Sequence, residues 1–109
     1  VASSFTFRPG ELSTISIDWR RVLAGLDRDL GLDPGTVTIN TATWTDGAEV
    51  EIAASPAPVV YDDTRTVAWV DARGDGAVDG ADDVVIVEIE TSHGHVLREY
   101  VAILLRSTE

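Results

Sequence analysis

A chain of 109 residues is the size of a single domain and is long enough to bury a core of its own. Its hydrophobic content of 44% is that of a folded protein, and the lack of any cysteine excludes a disulfide scaffold, a thiolate zinc site and a cysteine nucleophile. A formal charge of −11 opposes phosphate backbones and anionic bilayers, so neither nucleic acid nor a membrane is expected as a partner; cationic partners or divalent cations suit it better.

Residues 1–8 and 106–109 read as extended arms on one domain, 1–109. Val1 is small enough to follow a removed initiator methionine, and no charged, apolar leader is expected. From Leu12 the pattern has period two: "LSTISIDW" puts Ile15, Ile17 and Trp19 on one strand face. "DWRRVLAGLDRDLG" predicts a helix of one or two turns. Asp18 is its N-cap, Trp19, Val22 and Leu23 share a side, and Gly25 weakens it before "LDPG" ends it. "TVTINTATW" alternates at Val37 and Ile39, then changes parity to Ala42 and Trp44, the mark of a bulge or a strand end.

"AEVEIAA" sets Val50 and Ile52 against Glu49 and Glu51, and "RTVAWVDA" pairs Val67 with Trp69. "DVVIVEIETS" gives Val85, Val87 and Ile89 one face. "HVLREYVAILL" aligns Leu97, Val101, Ile103 and Leu105 in a parity interrupted by Glu99. Gly94 in "TSHGH" supplies the hairpin turn between these last two strands. The sum is an all-β chain, an antiparallel β-sandwich of about seven short strands with one short helix. Trp19, Trp44 and Trp69 are each expected to fill its core, the alternative being an exposed tryptophan platform for carbohydrate.

The acidic segment "DARGDGAVDGADD" is the main candidate for chemistry. Counted from Asp71, it places Asp71, Asp75, Asp79 and Asp82 at positions 1, 5, 9 and 12 of a calcium loop, with Gly76 at the sharp turn. Arg73 occupies a ligand position, and the β-branched run that follows predicts a strand where a calcium loop needs a helix. A solvated hairpin loop chosen for turn geometry is therefore expected, without metal or cofactor. Arg73, Asp75, Asp79 and Asp83 then form a candidate interaction loop. Arg73-Gly74-Asp75 also matches the integrin-binding tripeptide, a match short enough to arise by chance. His93 and His95 flank Gly94 and would need Glu99 to complete a metal set; exposed turn residues are the plainer reading. No nucleophile motif and no glycine-rich phosphate loop is present, so no catalytic residue is assigned and the chain is expected not to be an enzyme.

Three segments resemble the small tail and fiber-tail adaptor proteins of tailed bacteriophages. "ISIDWRRVL" is similar to their first strand and its Asp-Trp signature, "TVTINTATWT" to their "I-x-S-x-x-W" strand, and "DTRTVAWVDA" with "VVIVEIETSHGHVLREYVAILL" to their C-terminal half. The matched points are Asp18-Trp19, Trp44, Trp69 and Thr91 to Gly94, across residues 11–106. The segment "AGLDRDLGLDPG" and the acidic loop are longer than the family's counterparts. The resemblance implies an immunoglobulin-like sandwich, a virion location and symmetric multi-copy contacts with other phage tail, fiber or capsid subunits. It gives Asp18 and the tryptophans structural roles. A capsid decoration protein of the same fold is one alternative, and a calcium- or carbohydrate-binding module of a bacterial surface protein is another.

Overall fold

The computed structural model describes residues 2–107, Ala2 by its backbone alone. In chain order the elements are β1 (Ala2–Phe7), β2 (Leu12–Asp18), α1 (Arg20–Asp29), β3 (Ile39–Thr45), β4 (Glu51–Ile52), β5 (Val59–Tyr61), β6 (Arg65–Asp71), β7 (Asp82–Thr91) and β8 (Val96–Leu105). Two sheets pack as a sandwich, one ordered β1-β8-β7-β3 and the other β2-β6-β4, with β5 also paired to β6. Ile15 and Ile17 of one sheet and Val85, Val87, Ile89, Val101, Ile103 and Leu105 of the other are all buried in one core. The alternation of β-branched residues read from the sequence produces those two inner faces.

Several expectations need correction. The first residues are not an arm. Backbone groups from Ala2 to Phe7 pair with β8, from Ala2 against Tyr100 to Phe7 against Leu105, and that pairing is parallel. The sandwich is therefore not wholly antiparallel, and eight strands, not about seven, fall within the described residues. At the other end Arg106 donates its N–H to Phe7 and Ser107 donates to Asp79, so these two are tied down; residues 108–109 lie outside the described residues.

The helix is longer than expected, at 10 residues, and starts one residue later, with Trp19 in the N-cap position. Asp18 still serves the helix start: its Oδ1 accepts the Arg20 N–H at 3.0 Å, and the Arg20 guanidinium closes on the same carboxylate. Of the expected side, Trp19 and Leu23 are buried in the core, with Leu26 packed against it, whereas Val22 is 42% exposed and does not belong to the buried stripe. Buried Asp27 faces the connection that follows and accepts the N–H groups of Gly35 and Val37 at 2.9 and 2.8 Å. The parity change in "TVTINTATW" is real: the register of β3 on β7 shifts between Ile39 and Thr41.

The tryptophans divide. Trp19 is 3% exposed, and its indole N–H donates to the Thr66 hydroxyl at 2.9 Å. Trp44 is half-buried against the core. Trp69 is not a core residue. In β6 the inward side chains are Thr66, Ala68 and Val70, all at 0% exposure, and Trp69 stands on the outer face with Val67.

Candidate functional site

The acidic segment is a stapled connection between β6 and β7. Ala72 and Ala77 dip into the core, Gly80 donates to the Leu105 carbonyl at 2.8 Å, and Gly10 donates to the Ala72 carbonyl at 2.7 Å. Gly80 has φ +89°, a left-handed conformation that suits glycine. Gly76 lies so close to the Glu49 side chain that a Cβ there would overlap its carboxylate.

The proposed calcium ligands do not converge. Arg73 lies across Asp71, donating from its backbone N–H and from its guanidinium at 2.9 Å, and holds that carboxyl down at about 2. Asp79 accepts the Ser107 N–H, and Asp82 pairs with Arg106. Among the described residues no group of three or more His, Asp or Glu is placed to hold a metal ion. The Arg73 guanidinium is occupied by Asp71, so the Arg-Gly-Asp tripeptide does not present a free cation.

Asp83 is not part of an interaction surface. It is 9% exposed, and its carboxylate accepts the backbone N–H groups of Ala48, Glu49 and Val50 at 2.7–2.9 Å, and that of Val84. Burial pushes this carboxyl up, but the four donors outweigh burial and hold it below the usual carboxylate value. Gly47 makes the approach feasible, because a Cβ there would collide with the Asp83 carboxylate. Asp83 is thus the clamp that holds the 46–50 turn against β7.

The histidines and Glu99 are separate. Thr91 closes the β7–β8 turn, its hydroxyl accepting the N–H groups of His93 and His95. His93 is exposed, while Glu99 points inward from β8 and is 9% exposed. Its Oε1 is buried with no hydrogen-bond partner. The interruption that Glu99 makes in the apolar parity of β8 is the one sequence signal that marks this position.

Glu99 lines a cleft of about 650 Å³ where edge strand β1 of one sheet faces edge strand β2 of the other. Ser3 and Phe5 form one wall, Asp18 another, and Arg21 and Arg28 of α1 stand at the side. A second depression lies on the outer face of the β2-β6 sheet, where Val59, Tyr61, Val67 and Trp69 form its apolar part. On the opposite outer face, Val84 and Tyr100 are 47% and 50% exposed, and Ile86 pairs with Tyr100 beside them.

No family model, curated protein or solved structure matches this chain. The described residues contain no helix long and apolar enough to cross a membrane.

Proposed function

We propose that this chain is a non-enzymatic virion structural protein of a tailed bacteriophage, an adaptor that joins tail or neck components to fibers or to neighbouring subunits. The observation that carries the proposal is that both outer faces of the sandwich bear apolar strips. Val59, Tyr61, Val67 and Trp69 lie on one face, and Val84, Ile86 and Tyr100 on the other. An adaptor holds a subunit on each side, and exposed aromatic and aliphatic residues on a rigid sheet are what such contacts use.

The strand order β1-β8-β7-β3 against β2-β6-β4 supports the immunoglobulin-like reading within the sandwich class. Two of the points of resemblance, Asp18-Trp19 and Thr91 to Gly94, have structural roles that fit it, whereas Trp69 stands on an outer face. Asp18 and Trp19 sit at the junction of β2 and α1, and Thr91 to Gly94 form the β7–β8 turn. The acidic surface favours a cationic counterpart in the assembled particle.

The test is cryo-electron microscopy of virions carrying this chain, wild type and with Trp69→Asp or Tyr100→Asp. Density for a small sandwich at the tail, neck or fiber base, and its loss in variants that still fold, are expected. Particles without any such subunit would overturn the proposal.

A further inference from the structure

The cleft between β1 and β2 holds charges that the fold does not use. Among the described residues Glu99 has no hydrogen-bond partner for its buried Oε1, and neither Arg21 nor Arg28 makes an ion pair. Asp18, which also lines the cleft, is already satisfied by Arg20. Arg21, Gly25 and Arg28 follow one another at helical i, i+4, i+7 spacing, so they share a face of α1. The Arg28 guanidinium folds back along that face: a Cβ at Gly25 would lie 3.8 Å from its Nη2.

An ionised carboxylate only accepts hydrogen bonds, and a guanidinium only donates them. A buried carboxylate oxygen without a donor is unfavourable, so Glu99 is unlike the other inward residues of β8, which are apolar. The cleft is within the size range of small-molecule sites, roughly 300–1,000 Å³. Its natural occupant has three features. It donates hydrogen bonds at its inner end, to Glu99. It carries an anion toward Arg21 and Arg28. It presents an apolar face to the Phe5 ring.

We propose that this cleft binds an acidic sugar, a uronate whose ring hydroxyls donate to Glu99, whose carboxylate meets Arg21 and Arg28, and whose C–H face lies on Phe5. The inference is independent of the adaptor reading, because it concerns an inter-sheet seam and not the outer faces. A simple amino-acid zwitterion also has a donor and a carboxylate, but it has no C–H ring face for Phe5.

Titration of the ¹⁵N-labelled chain with sodium glucuronate, followed by amide chemical shifts, tests it. Saturable shifts centred on Ser3, Phe5, Arg21 and Glu99 are expected. Arg28→Gln, on an exposed position that leaves the fold intact, weakens binding about tenfold or more, the loss of one charge-assisted hydrogen bond. Glu99→Gln does the same, with its spectrum reporting that the fold persists. Neutral glucose binds more weakly than glucuronate, and glycine gives no saturable shift. Absence of saturable shifts with glucuronate, wild-type affinity in both variants, or a glycine response matching that of glucuronate would each overturn the proposal.

Discussion

Asp83 shows how much one side chain carries here. It satisfies four backbone N–H groups, three of them in the turn at residues 48–50. Replacing it by alanine strands those donors, and unfolding in urea should show a loss of about 3 kcal/mol. The folded carboxyl titrates below its ordinary value of 3.8, so its contribution is complete above that value and is lost as pH falls through the folded one. Asp83→Asn should therefore flatten the decline of Tm as pH falls below that ordinary value; a decline as steep as in the wild type would contradict this origin. The tryptophans make a second comparison. Trp19→Ala empties a core site and breaks the bond to Thr66, and should cost about 4 kcal/mol. Trp69→Ala, on an outer face, should cost about 1 kcal/mol, both read from denaturant midpoints. The burial of Trp69 was misread from the sequence for a physical reason. Both parities of "TVAWV" are apolar, and the larger pair, Val67 and Trp69, drew the assignment, while the core took the smaller Ala68 and Val70. Asp83 was not legible either, since its identity as a clamp depends on Gly47 and the 48–50 backbone arriving from another part of the chain. Glu99 was legible as a break in parity, but not its cleft, which needs β1 and α1 in place.

At the scale of elements, the long strands were legible and the short or unusual ones were not. β7 and β8 are ten residues each and alternate in burial, in β8 with Glu99 as the one polar residue on the buried parity, and their hairpin follows from Gly94. β5 has three exposed residues and shows no burial period at all, so its pairing to β6 is set by tertiary context. β1 looked like an arm because "SSFTF" is short and polar, yet Phe5 and Phe7 pack on the core and their rings stack at 6.0 Å. Deleting residues 1–7 should therefore strip the edge of β8 and abolish cooperative thermal unfolding, as followed by circular dichroism; an unchanged transition would restore the arm reading. The helix persists for 10 residues despite Gly25, because Leu23 and Leu26 anchor it and Asp27 holds the chain beyond it. Gly25 has no positive φ, and a Cβ there meets only Arg28 at an ordinary 3.8 Å. Gly25→Ala should consequently raise stability by about 0.5–1 kcal/mol, the helix-propensity difference, measured by urea unfolding.

For the whole molecule, charge is the dominant unbalanced quantity. Nineteen acidic residues face eight basic ones, all arginine. Among the described residues Arg20, Arg73, Arg98 and Arg106 make exposed ion pairs, and such pairs contribute little in water. The remaining carboxylates repel one another across a small surface. The screening length falls from about 30 Å at 0.01 M salt to about 10 Å at 0.1 M, so added salt weakens long-range repulsion more than the contacts within each pair. Tm should rise when sodium chloride is increased over that range; a fall would mean that the arginine pairs, not the net charge, set the response. Calcium offers a sharper discrimination. The carboxylates of Asp71, Asp79 and Asp82 are engaged by Arg73, by the Ser107 N–H and by Arg106. Calcium chloride should then raise Tm no more than sodium chloride of equal ionic strength, apart from weak condensation on the acidic surface. A calcium-specific increase that saturates, and that disappears in Asp75→Asn with Asp79→Asn, would show that the 71–83 segment rearranges around the ion at the expense of its arginine contacts.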